Sequence, residues 1–333
     1  MGMSIVSIGY YLPDRSVSND ELLGMVLKHG GNIADCENLK KKLLVNKADT
    51  RYFKSPDETG IDMSVKAAQK CMENANFPAK DLDMILYVGM LRDYVEPAMS
   101  VILQNILGAR HANAFDISNA CMGFLYGLEV ASHYFDTGAY RNILLVGAED
   151  GSERIPWHLF HSDKEGLKGF SALTVSDAAA AMLLQHSESS GNFKKFTFQT
   201  FGQYSDLCRI KIGKETNDLK LMVKSKQLAI TAIEILSELI PSFLYAAQEI
   251  MGVIDIVFLH QVTGDPKNFC GKLRPELYQK CYNSFTRVGN TGSISIPIGM
   301  ALAEEEGKLK RGDHVAAIVG ASGFSFGGTA FIY

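Results

Sequence analysis

The feature that most constrains this chain is that it repeats itself. Asp83-Met-Ile-Leu-Tyr-Val88 and Asp255-Ile-Val-Phe-Leu-His260 both read as short buried strands, each following a helical stretch (near 62–76 and 226–250). Further along, Asn142-Ile-Leu-Leu-Val-Gly-Ala148 is matched by His314-Val-Ala-Ala-Ile-Val-Gly-Ala321. Each copy then runs on into another apolar strand, Ala178 to Leu184 or Gly328 to Tyr333. A separation of about 172 residues is kept by the first two pairs of strands, and the third pair follows in the same order. Any chain of alternating strands and helices shows one such agreement by chance. Two at one offset and a third in the same order, with a shared Val-Gly-Ala ending, favour an internal duplication.

Short apolar strands alternating with amphipathic helices imply βαβ crossovers, so each half is expected to hold a mostly parallel, buried sheet. Two such halves about a pseudo-twofold axis give a layered α/β architecture, with helices sandwiched between sheets and room for a site where the halves meet. The expected division is residues 1–188 and 189–333. Two stretches have no partner in the repeat: 150–175, which carries the only tryptophan, Trp157, and the locally basic 186–226. Long insertions of this kind are usual places for lids and docking surfaces.

Composition narrows the classes. A formal net charge of −4 over 333 residues supplies no field to hold nucleic acid or an anionic membrane. The longest uninterrupted apolar run, Ala178 to Leu184, falls far short of the ~20 residues of a spanning helix. The opening Met-Gly-Met-Ser-Ile-Val-Ser-Ile-Gly reads as a first strand rather than an export signal, so a cytoplasmic location is expected. Six cysteines, none in a C-x-x-C pair, argue against a disulfide framework or structural zinc.

One of those cysteines stands apart. Phe115-Asp-Ile-Ser-Asn-Ala-Cys121-Met-Gly-Phe reads as strand, tight connection and helix, which places Cys121 near a helix N-terminus. Backbone N–H groups and the helix dipole there favour a thiolate, the nucleophile for acyl transfer from a thioester. The plainer reading is a structural cysteine. His260 closes its strand and opens into a loop, where α/β proteins place groups that face ligands; a hydrogen-bonded histidine at a core edge is the alternative. Asn290 lies in the glycine-flanked turn Val288-Gly-Asn-Thr-Gly-Ser293, where an N-cap or turn role is common. In the duplication this turn corresponds to the one carrying Cys121, so the two are expected to approach each other. A thiol, an imidazole and a carboxamide then converge.

On these residues the sequence resembles the thiolase-fold condensing enzymes, in particular the β-ketoacyl-ACP synthase III family. The resemblance runs from Ile8-Gly-Tyr-Tyr-Leu-Pro13 through Asp49-Thr-Arg51-Tyr, Ser118-Asn-Ala-Cys121, His260-Gln and Gly289-Asn-Thr-Gly-Ser to Gly323-Phe-Ser-Phe-Gly-Gly. It implies a layered αβαβα fold of two pseudo-twofold-related halves, a homodimer, and a Cys121–His260–Asn290 triad. Cys121 takes an acyl group from a CoA or carrier-protein thioester. Backbone N–H groups of Cys121 and Ser322 receive the oxyanion, and His260 and Asn290 stabilise the enolate of a second, malonyl-type thioester. Arg51 and Phe324 are carried over as substrate-binding residues. No metal or redox cofactor is implied.

The family pattern is broken in places. His260-Gln-Val-Thr replaces the usual His-Gln-Ala-Asn, and Val175-Ser-Asp177-Ala-Ala-Ala-Ala replaces Phe-Gly-Asp-Gly-Ala-Gly-Ala. Glu96, in Tyr94-Val-Glu-Pro97, stands where the initiating synthases often have Phe. A carboxylate there resembles the head-to-head enzymes of olefin biosynthesis, where a Glu from the neighbouring subunit removes an α-proton so that two acyl-CoAs join without decarboxylation. The plain alternative is a carboxylate on a solvated loop. Acyl transfer to an oxygen, nitrogen or sulfur acceptor also remains open, as does a non-enzymatic scaffold subunit, although such subunits usually lose the cysteine. The basic residues between 194 and 226 suit an acidic carrier or CoA phosphates, or simply a solvated face.

Overall fold

The computed structural model describes residues 2–160, 169–187, 192–212, 219–271 and 273–333. The first half runs β1 (Met3–Tyr11), β2 (Arg15–Ser18), α1 (Asn19–Lys28), α2 (Ile33–Val45), β3 (Thr50–Phe53), α3 (Gly60–Asn74), β4 (Met84–Val88), α4 (Met99–Leu107), β5 (Asn113–Ile117), α5 (Gly123–Asp136), β6 (Asn142–Glu149) and β7 (Ala178–His186). The second runs β8 (Phe193–Thr200), β9 (Cys208–Ile212), β10 (Leu219–Val223), α6 (Ser225–Met251), β11 (Ile256–Leu259), α7 (Lys267–Cys270), α8 (Pro275–Tyr278), β12 (Cys281–Tyr282), α9 (Phe285–Val288), α10 (Ser295–Glu305), β13 (His314–Ala321) and β14 (Ser325–Ile332).

Ten of these strands form two five-stranded sheets of one plan. The first has the order β1-β7-β6-β4-β5, and the second, taken from its equivalent edge, β8-β14-β13-β11-β12. The expectation of mostly parallel sheets holds for strand direction, with one strand in each sheet, β7 or β14, reversed. In each sheet two neighbouring pairs are parallel, β4 with β5 and β6, and β11 with β12 and β13. The other two pairs, which involve β7 and β1 or β14 and β8, are antiparallel. The reason is connectivity. β13 reaches β14 through the short turn at 322–324, and β6 reaches β7 without a crossover helix among the described residues, so each chain returns antiparallel.

Burial orders the layers. Helices α3 and α4 cover the outer face of the first sheet through Met63, Ala67, Cys71 and Leu103. Helix α6 covers the outer face of the second through Leu236, Ile240, Phe243 and Leu244. Between the sheets lie α5 and α10, whose Phe124, Leu128, Ile298 and Met300 share one core with both inner sheet faces. The result is the αβαβα sandwich, with two middle-layer helices that pack on each other's halves. Among the described residues, one helix, Lys226–Met251, is long and apolar enough to cross a bilayer by length and composition. In this fold its apolar side covers the second sheet.

Helices α1 and α2 form a separate bundle that packs on the 150–175 insertion, where Trp157 stacks on His29 with ring centroids 4.7 Å apart. Residues 161–168 of that insertion, and Lys214, Glu215 and Asp218 of the basic stretch, lie outside the described residues.

Candidate functional site

Cys121 stands on a sharp elbow. β5 ends at Ile117, α5 begins at Gly123, and between them Ala120 has φ 45. A non-glycine residue there costs roughly 1 kcal/mol or more, a local strain that the surrounding packing must hold. Close packing fixes the helix start. A Cβ added at Gly123 would stand 3.2 Å from Val88 Cβ and 3.8 Å from Ser293 Cβ, so the two corresponding turns do meet. The Sγ of Cys121 lies 3.8 Å from Met90 Sδ.

The expected thiolate does not follow. Burial pushes the Cys121 thiol well above its ordinary value, and the nearby Glu149 and Cys208 push in the same direction. The desolvation of the sulfur outweighs the pull of the helix N-terminus, so the resting group is a neutral thiol.

His260 follows the end of β11, its backbone N–H donating to Ile318 O. Its Nδ1 is 2.8 Å from Ser295 Oγ, at the first residue of α10. Burial pulls the imidazole down to about 4, so it is neutral at physiological pH. The next residue, Gln261, pins the following turns. Its Nε2 donates to Tyr282 O, and its Oε1 accepts from Ser284 N and Phe285 N. Asn290 is held by its own backbone, which exchanges hydrogen bonds with Thr174 and Ser176 of the first half. Its Oδ1 accepts from Gly292 N at 3.0 Å, which leaves the Nδ2 end to donate.

All three side chains line one cavity of about 1730 Å³. That exceeds the roughly 300–1,000 Å³ of an ordinary small-molecule site. Ser322 and Phe324 line it, and so do apolar residues of α6, among them Leu228, Ala232, Leu236 and Ile240. Lys42, Arg154, Lys224 and Lys226 also line it and supply positive charge. Asn46, at the end of α2, ties the 262–264 loop down through Asn46 Nδ2 to Val262 O and Gly264 N to Asn46 O.

Two residues singled out from sequence do not join them. Arg51 is fully buried and donates to Val17 O, Asn19 Oδ1 and Ala48 O. It does not line the cavity, so the expected substrate contact is replaced by a structural one. Glu96 is exposed on the loop before α4 and does not line the cavity of its own chain either. Of the basic stretch, Lys224 pairs with Asp206. Asp177 is an acceptor for Ser152 and Lys54 N.

Other residues at the site were not singled out from sequence: Met90, Cys208, Ser295 and Glu149. Glu149 closes the Val-Gly-Ala of the first copy where Ser322 closes that of the second. Alignment of the repeats through that residue was the signal that would have found it.

Solved structures share this architecture over the whole chain. The 3-oxoacyl-[acyl-carrier-protein] synthase III of Aquifex aeolicus VF5 superposes with a TM-score of 0.80 at 24% identity, covering 100% of both chains. Cerulenin-bound OleA of Xanthomonas campestris gives 0.83 at 23%, covering 100% of this chain and 97% of that one. The fold is therefore the thiolase fold. Family models narrow it: 3-oxoacyl-[acyl-carrier-protein (ACP)] synthase III matches residues 115–202, and its C-terminal counterpart matches 247–333. The β-ketoacyl-[acyl-carrier-protein] synthase III of Campylobacter jejuni subsp. doylei is 30% identical, covering 97% of this chain and 95% of its own. That of Fusobacterium nucleatum is 27% identical, covering 98% and 97%. The chain belongs to the 3-oxoacyl-ACP synthase III family, and it is an enzyme of the condensing acyltransferase type.

Proposed function

We propose that this enzyme loads an acyl group onto Cys121 from an acyl-CoA or acyl-ACP thioester and condenses it with a malonyl-type thioester. The observation that carries the reading is the convergence of Cys121, His260 and Asn290 on one large cavity with an apolar wall and positive charge. In the first step the Cys121 sulfur attacks the thioester carbonyl, the donor sulfur leaves, and the thiol proton ends on that leaving sulfur. Backbone N–H groups of Cys121 and Ser322 receive the oxyanion. In the second step the malonyl-type donor loses CO₂, and the enolate oxygen takes hydrogen bonds from His260 and Asn290. The enolate carbon attacks the acyl carbonyl, and the Cys121 sulfur departs.

The neutral state of His260 suits this role. The 2.8 Å contact of Nδ1 with Ser295 Oγ allows the tautomer with the ring proton on Nε2, where it can be donated to a carbonyl. The chemistry calls on neither a metal nor a redox cofactor, because sulfur carries the acyl group throughout. The proposed organisation is the pair of halves 1–188 and 189–333, with the nucleophile on the first and its hydrogen-bonding partners on the second.

A second reading has its own observation. Glu96 sits beside Tyr94 and Val95, which are 52% and 95% exposed. A carboxylate flanked by bare apolar side chains suits insertion into a second copy of this chain. There it would serve as base for joining two acyl-CoAs without decarboxylation. One experiment tests both readings: incubate the enzyme with acyl-CoA alone and with malonyl-CoA or malonyl-ACP, then measure the Cys121 adduct, the β-keto product and CO₂. An adduct and product only with the malonyl donor support the first reading. Product from acyl-CoA alone, lost in Glu96→Gln, supports the second. No adduct with any thioester overturns both.

A further inference from the structure

One acid lies beneath the site without lining it. Glu149 ends β6 and is 3% exposed. Its Oε1 accepts from Ser293 Oγ at 2.5 Å, Ser293 N at 3.1 Å and Met90 N at 3.2 Å. Its Oε2 is buried with no hydrogen-bond partner among the described residues. The turn carrying Asn290 lies directly on the carboxyl group. Gly292 has φ +53, and a Cβ there would stand 2.8 Å from Glu149 Cδ, so a side chain is excluded both by conformation and by space. Met90, the other residue held, carries the sulfur beside Cys121. A single carboxyl group therefore grips a neighbour of the nucleophile in the first half and the asparagine turn in the second.

The groups around it are mostly acids or weak acids. Tyr87 faces it from β4, Cys121 from the start of α5, and Asp150 from the next position in its own chain. Asp93, from the loop after β4, and Asp116, from β5, act on Tyr87 beside it, and Arg154 acts on Asp150. Burial pushes Glu149 up to about 7 against the opposing hydrogen bonds from Ser293 and Met90.

We propose that Glu149 is a positioning residue for the condensation: its carboxyl group clamps the Met90 loop to the Asn290–Ser293 turn and so governs how readily the Cys121 sulfur reacts. The ionised carboxylate disfavours a second negative charge on that sulfur, and the neutral acid does not. This rests on Cys121 as the nucleophile, but the test reads the sulfur itself and not its acylation.

The experiment is alkylation of the full-length protein by iodoacetamide between about pH 5.5 and 9.5, with the Cys121 peptide followed by mass spectrometry. The unmodified protein should show an inflection near pH 7 in addition to the rise from thiol ionisation. Glu149→Gln should lose that inflection and react about tenfold faster at pH 8, the effect of one unit in thiol acidity. Glu149→Ala, which also removes the acceptor for Ser293 and Met90, should lower condensation turnover further than Gln does, with KM for the acyl donor unchanged. Superimposable alkylation profiles for the unmodified protein and Glu149→Gln overturn the proposal. So does an Ala variant that loses only thermal stability. If Ala fails to fold, the other two profiles decide. A pH response at Cys121 without any acyl adduct would sink the proposed function and leave this role standing.

Discussion

The two halves have the same strand order, yet their corresponding turns have been given opposite tasks. In the first half the turn into the middle-layer helix presents Cys121 to the cavity, while the strand end beside it carries the buried Glu149. In the second half the strand end opens into the cavity through Ser322, while the turn into α10 buries Ser293 on Glu149. A shift of 172 residues sets Cys121 against Ser293, and the Val-Gly-Ala match sets Glu149 against Ser322. One end of the pseudo-axis became reactive and the other became a clamp. The asymmetry lies in side chains, not in backbone plan, so substitutions should separate the two roles cleanly.

The largest effect should come from the reactive turn. Cys121→Ala should abolish the acyl adduct and lower condensation by roughly 10³-fold or more, read by intact-protein mass spectrometry and product assay. Next, Asn290→Ala or His260→Ala should lower condensation about 10²–10³-fold while the Cys121 adduct still forms. If either also blocks loading, the division of labour between the halves is wrong. Because burial holds His260 down to about 4, His260 itself should add no inflection to the pH profile of the condensation step between pH 7 and about 5.

The clamp side should show itself in stability. Glu149 moves from its ordinary 4.5 to about 7 on folding, so its contribution is full below pH 4.5 and is lost as pH rises through 7. Urea unfolding should find about 3 kcal/mol of this pH dependence between pH 5 and 8, absent in Glu149→Gln. Equal slopes for the two proteins would break the comparison. Ser295→Ala, which removes the partner of His260 Nδ1, should cost roughly tenfold in condensation and nothing in loading. The smallest kinetic effect belongs to Arg51→Met. It should leave KM for the acyl donor unchanged while lowering the unfolding temperature by a few degrees, because among the described residues the buried guanidinium bonds to Val17, Asn19 and Ala48.

What was legible in the sequence was whatever local pattern carries. Strands such as Met84–Val88 and Ile256–Leu259 show as apolar runs, and their repetition at a fixed offset implied two equivalent sheets and a central helix layer. Cys121, His260 and Asn290 sit on strand ends and turns whose glycines and polar residues stand out. The missed features depend on contacts far apart in the chain. The antiparallel return of β7 is set by an insertion with no periodicity to read. Arg51 appeared as a charge available for substrate because nothing local says that Asn19 and the Val17 and Ala48 carbonyls would enclose it. The state of Cys121 is hard to read for the same reason: the helix terminus is visible in sequence, and the groups that enclose the sulfur and raise its pKa are not. Glu149 looks like an ordinary strand-end carboxylate until Ser293, 144 positions away, is seen to bind it.

The middle layer has a consequence for ancestry. Phe124 and Leu128 of α5 are as deeply buried as Ile298 and Met300 of α10, and the same apolar mass is shared by both sheets. A forebear of half this length, folded alone, would have left that greasy surface bare to water. It would have needed a twin to cover it, so the interior between the sheets has the make-up of an interface.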